Sequence, residues 1–123
     1  MKKDDWTRQS IQDLVAAYLD VSLREAEAVE RGEAAQVRRL FDKRMQLDRS
    51  IRSRGLQARK SLMPLLEHRN AQVRLNAAKH LLAVAPNEAR ATLKDLAAHG
   101  PSQQRGDAGM CFWYMEKGIF KPT

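Results

Sequence analysis

The stretch Ala58–Val84, ARKSLMPLLEHRNAQVRLNAAKHLLAV, returns in outline 31 positions further along the chain. Ala58, Arg59, Leu62, Leu65, His68, Gln72, Arg74 and Ala77 recur as Ala89, Arg90, Leu93, Leu96, His99, Gln103, Arg105 and Ala108. A fixed period of this size marks one supersecondary unit used twice, because such a unit cannot bury its apolar face alone and must stack on a copy of itself. Helical repeats are scaffolds for surfaces. Function must therefore be sought in what the surface presents.

Outward from the repeat, the periodicity predicts an all-α chain of about six helices, with no segment alternating long enough to be a strand. The first repeat covers 56–85. Its leading helix, Leu56 to His68, should break or bend at Pro64, which has no N–H to donate and crowds the preceding turn. Asn70 can cap a second helix from Ala71 to Val84. In the second repeat, 86–118, Pro86 suits the first position of helix five, Gly100 stops it, and Pro101 and Ser102 open helix six, which Gly118 closes. Residues 1–55 form a long helical hairpin. Thr7 is its expected first cap, with Trp6 and Ile11 spaced as a hydrophobic staple. Gly32 separates Ile11, Leu14, Val15, Tyr18, Ser22, Ala26 and Val29 on one helix from Val37, Leu40, Phe41, Leu47 and Ile51 on the next, which Gly55 ends. Hairpin and repeats together are expected to make a single domain.

Asn70-Ala71-Gln72-Val73-Arg74-Leu75-Asn76-Ala77-Ala78-Lys79-His80-Leu81 resembles the second helix of a HEAT repeat, with a polar cap, Val-Arg, paired alanines and a leucine. Pro101 to Phe112 is a weaker copy, with Gln104 at the valine position and Gly109 at the second alanine. The resemblance implies a HEAT or armadillo-like α-α superhelix, an architecture used to bind proteins and, more rarely, nucleic acids. The whole chain, hairpin included, is similar to a small bacterial family described as a domain of unknown function. That similarity implies a compact helical domain and no particular chemistry.

The chain has 123 residues, 43% of them hydrophobic and 30% charged, the makeup of a well-charged globular protein. No apolar stretch approaches the roughly 20 residues of a membrane span. Met1 to Trp6 has charge but no apolar core behind it, so it does not read as a secretory signal. One cysteine, Cys111, excludes an internal disulfide and fits a reducing compartment, so a cytoplasmic location is expected. The net charge of +7 is uneven: residues 33–61 alone carry nine basic and three acidic groups. A basic stripe attracts nucleic acid or an acidic protein alike.

Several residues invite a functional reading. Arg74 falls on the apolar side of its helix, where a charge needs a partner. HEAT-like repeats use the matching arginine to tie structure together, and Arg105 reads the same way. Arg44, at the centre of the second helix's stripe, should meet Asp48 one turn on and Glu25 and Ser22 across the hairpin, as a buried ion network. Arg38, Arg39, Lys43, Arg49 and Arg52 form a basic patch, but no aromatic platform lies among them for single-stranded nucleic acid, since Phe41 is expected to point inward. His68, His80 and His99 have no partner at metal-ligand spacing, and His68 and His99 sit where an imidazolium favours a helix end. No cofactor motif is present.

The run Met110-Cys111-Phe112-Trp113-Tyr114-Met115 covers every side of helix six, more apolar surface than one neighbour can bury. Either the tail Ile119-Phe120-Lys121-Pro122 folds back over the surplus, or a partner or a second copy of the chain covers it. Aromatics and Met are enriched in interface cores. The expected partner-binding face thus combines Asn76, Lys79, His80, Asp107, Met110, Trp113 and Tyr114. The reading is a non-catalytic protein-interaction module, an adaptor, inhibitor or immunity-type protein, with a nucleic-acid-binding repeat using the basic patch as the alternative. A thiol site of Cys111, Asp107 and His80 is the sharper but less supported idea.

Overall fold

The computed structural model describes residues 6–123, and among these the chain is all-α. Six α-helices follow in order: α1 (Ile11–Glu30), α2 (Ala34–Ser53), α3 (Leu56–Lys60), α4 (Ala71–Leu81), α5 (Pro86–His99) and α6 (Ser102–Glu116), with a 3-10 helix, Met63–Glu67, between α3 and α4. Met1–Asp5, whose charge was read above as unlike a secretory leader, lie outside the described residues. No described helix is long and apolar enough to cross a membrane. The helices form two compact units, Met1–Ser61 and Leu62–Thr123.

In the first unit α1 and α2 pack as a hairpin. Its turn is a Schellman motif. Gly32, at φ +69°, sits just past α1, its N–H bonded to the Val29 carbonyl while the Glu33 N–H reaches the Ala28 carbonyl. Leu14, Tyr18, Val21 and Ala28 of α1 bury against Leu40, Leu47 and Ile51 of α2.

Two expectations are corrected in this unit. Ser10, not Thr7, caps α1: its hydroxyl accepts from the Asp13 N–H at 3.0 Å, and Thr7 lies in the preceding turn. The Arg54 side chain holds that turn from α2, donating to the carbonyls of Trp6 and Thr7 at 2.8 and 3.2 Å. Phe41 faces outward. The buried stripe of α2 is Leu40, Arg44, Leu47, Asp48 and Ile51, and Phe41 lies about 100° round from Leu40. Its ring instead receives the Arg44 guanidinium, 5.3 Å from the centroid.

In the second unit α4 packs on the 3-10 helix, α5 and α6, and α5 packs on α6. The predicted third helix is divided ahead of Pro64: α3 ends at Lys60, and Pro64 stands in the first turn of the 3-10 helix, where its missing N–H costs nothing. Asn70 caps α4 as expected, its side-chain oxygen accepting from the N–H groups of Gln72 and Val73. α4 ends at Leu81, short of Val84, in a turn closed by the Ala85 N–H on the Leu81 carbonyl at 2.7 Å. Leu62, Leu93, Leu96, Ala77 and Ala108, apolar members of the sequence repeat, are all fully buried.

Candidate functional site

α6 turns only one narrow stripe inward, Gln104, Ala108 and Cys111 at helical spacing. What remains faces out: Met110, Trp113 and Tyr114 are 45%, 46% and 39% exposed. The helix ends in a second Schellman motif, with Gly118 at φ +73°, its N–H on the Met115 carbonyl, and the Ile119 N–H on the Tyr114 carbonyl at 2.9 Å. The Phe120 N–H takes the same carbonyl at 3.1 Å, which turns the tail back along the helix. The fold-back is partial. Phe120 is half-buried, whereas Ile119 remains 66% exposed.

Between the tail and α4 lies a groove of about 450 Å³ lined by Lys79, Asp107, Met110, Cys111, Tyr114 and Phe120. Lys79 and Asp107 stand in its wall without pairing; the Asp107 carboxylate instead takes a long bond, 3.4 Å, from the Gln103 side chain. Burial pushes the Cys111 thiol pKa up, only partly offset by the positive charges of Lys79 and Arg90. That shift runs opposite to the lowered pKa of an activated thiol nucleophile. At the rim, Trp113 and Tyr114 meet edge to face, 5.4 Å between centroids, and the Lys117 ammonium stands 5.8 Å from the Trp113 ring.

Residues 12–116 match the model of a family described as Domain of unknown function (DUF2019). The chain belongs to that family. It is also similar to a solved bacterial structure, the crystal structure of the protein RPA1889 from Rhodopseudomonas palustris CGA009. Identity is 36% over 98% of this chain and 100% of that one, with a TM-score of 0.92. Among curated proteins there is no match.

The expected binding face of this DUF2019 chain is thus brought together in part. Lys79, Asp107, Met110 and Tyr114 share the groove and Trp113 flanks it, but Asn76 and His80 are buried, 1% and 3% exposed, and present nothing to a partner. The reason lies in Gln104. Standing where the repeat pattern has valine, it donates to the Gln72 side-chain oxygen at 2.9 Å, and Gln72 in turn donates to Asn76 at 2.9 Å. These three buried amides satisfy one another between α6 and α4, as groups removed from water must. Phe120 was missed as a groove residue, although Gly118 followed by two apolar residues is the signature of a helix end whose tail returns.

Several of the other candidates are bonded within the fold. Arg74 donates to the carbonyls of His68 and Arg69 at 2.8 and 2.9 Å, tying down the turn before its own helix, and Arg105 is exposed. His68 accepts the Asn70 N–H through Nδ1 at 3.0 Å. In the basic patch, Arg39 is bonded to Gln36 and Arg52 is paired with Asp48 at 3.0 Å, while Arg38 and Arg49 are exposed. Arg44 meets Glu25 across the hairpin in a two-pronged pair of 2.6 and 3.2 Å, and Asp48, one turn on from Arg44, is paired with Arg52. Among the described residues no three His, Cys, Asp or Glu side chains are grouped to hold a metal.

Proposed function

We propose that this chain is a non-catalytic protein-recognition module, an adaptor, inhibitor or immunity-type protein, whose second half is a pair of HEAT-like repeats presenting the end of α6. The observation that carries the reading is the contiguous exposure of Met110, Trp113, Tyr114 and Ile119 beside a preformed groove. Aromatic and Met side chains left in water at one end of a helix are the residue types that dominate interface cores. The buried Cys111, whose thiol pKa burial pushes up, supports a binding role over a catalytic one. The basic α2 adds long-range attraction for an acidic partner. Nucleic acid is the less favoured ligand, since Arg39 is bonded to Gln36, Arg52 is paired with Asp48, and the outward ring of Phe41 among them already carries the Arg44 guanidinium over it.

The test pairs capture with a control for folding. Tagged protein from its native cell should co-elute a specific protein, and Trp113→Ala with Tyr114→Ala should lose it. Thermal stability should stay within about 0.5 kcal/mol of the parent, as for other exposed side chains. Capture unchanged by the two substitutions, or retardation of DNA or RNA that weakens steeply with salt, would overturn the reading.

A further inference from the structure

The groove differs from a plain apolar cleft in its charge. Its walls are Met110, Tyr114 and Phe120 and its floor Cys111, but Lys79 stands among them, and the field of Arg90 reaches the floor as well. Neither cation makes an ion pair among the described residues, and the one acidic lining residue, Asp107, is turned to Gln103. Lys117, over the Trp113 ring, adds a cation at the rim. At about 450 Å³ the groove has the size of sites that enclose small ligands or an anchoring side chain, within the usual range of roughly 300–1,000 Å³.

We infer that this groove receives an apolar side chain from an acidic segment of a partner protein, with a carboxylate of that segment meeting Lys79. The inference rests on the recognition reading above and narrows it to one class of partner. Charge decides the occupant. A second copy of this chain would set its own Lys79 and Lys117 toward the same two cations, with Asp107 as the lining carboxylate to offset them, and like charges facing one another across an interface disfavour the pairing. An acidic segment gains twice: its apolar side chain leaves water between Met110, Tyr114 and Phe120, and its carboxylate meets an ammonium partly shielded from solvent.

A random peptide library displayed on phage and panned against the full chain tests this, with the recovered peptides synthesised and titrated. Recovered sequences should place Asp or Glu within a few positions of an aromatic, Leu or Met residue. Lys79→Glu should weaken them by roughly tenfold or more. Replacing the peptide's acid with Lys should restore binding to the Lys79→Glu protein, which a merely unfolded variant could not show. Peptides without acidic bias that still lose binding in Tyr114→Ala would overturn the inference and leave the recognition reading standing. Peptides indifferent to Tyr114→Ala and Met110→Ala, or no enrichment at all, would overturn both. A concentration-dependent dimer in sedimentation that Tyr114→Ala dissolves would assign the groove to a second copy and overturn the acidic partner.

Discussion

In the unit Met1–Ser61 four of the buried polar side chains carry formal charge: Glu25 against Arg44, with Asp48 and Arg59 also withdrawn from solvent. In Leu62–Thr123 the buried polar side chains are His80 and the linked amides of Gln72, Asn76 and Gln104. The first unit spends its central charges on itself. A two-pronged guanidinium–carboxylate pair accepts one rotational setting, so Glu25 and Arg44 fix how α1 lies on α2. The second unit joins α4 to α6 through amides, and Lys79, which makes no ion pair among the described residues, lines the groove with Met110 and Tyr114 of α6. Charge and exposed apolar surface lie together in this unit, whereas in the first the central charges are buried on one another.

The largest expected effect breaks the charged side of this contrast. Arg44→Met leaves the Glu25 carboxylate buried without its partner and should cost about 3–5 kcal/mol in urea unfolding. Glu25→Leu with Arg44→Met, which removes both charges, should recover nearly all of that and could exceed the parent. A single substitution no worse than a surface change would mean that the pair is solvated and that the two units do not differ.

The amide chain should respond less. Gln104→Val restores the residue the repeat pattern has there, yet it removes the donor to Gln72 and should cost about 1–3 kcal/mol. A double-mutant cycle on Gln72 and Gln104 should show a coupling of roughly 0.5–3 kcal/mol. Additive costs would show that the amides merely fill space.

Local signals carried most of the fold. Gly32 and Gly118 stop their helices because both adopt positive φ in Schellman turns, and Asn70 and Pro86 take the capping and first-turn positions their chemistry suits. Gly100 stops α5 for a different reason: its φ is ordinary, but a Cβ there would lie 2.6 Å from the Leu96 carbonyl oxygen. The Glu25–Arg44 pair was legible because a short turn brings two amphipathic stripes face to face. Distant partners account for what was missed. Ser10 and Thr7 are both competent caps, and Arg54, far along the chain, holds the carbonyls of the turn before Ser10. Asn76 reads as a surface residue on its own helix and is buried through Gln72, itself held by Gln104 from the other repeat. A helical projection gave the stripe of α2 with Arg44 at its centre but set its edge too wide, so Phe41 was turned the wrong way. In the site, the apolar surplus of α6 was legible from composition alone, whereas the groove was not, because its far wall is the returning tail.

The smallest effect separates the buried phenol from the charges around it. Tyr18 is wholly buried, and desolvation raises its pKa above the ordinary value of about 10; Arg44 opposes the shift and Asp48 and Glu25 reinforce it. Because the folded pKa is the higher one, the folded state holds its proton more tightly than the unfolded chain does. The associated stability is fully present below about pH 10 and is lost as pH rises beyond that toward the folded pKa. At pH 7, Tyr18→Phe should therefore cost only the hydroxyl's hydrogen bond, about 1 kcal/mol. Above about pH 10 the parent should lose stability faster than the variant, by up to roughly 1.4 kcal/mol per pH unit, so the two melting curves converge and then cross. Ionisation of Tyr114 and of the lysines is common to both proteins and cancels in the difference. Curves that stay parallel through pH 11 would mean that the phenol ionises as readily in the fold as in the open chain, and that the hairpin interior tolerates one more negative charge beside Glu25.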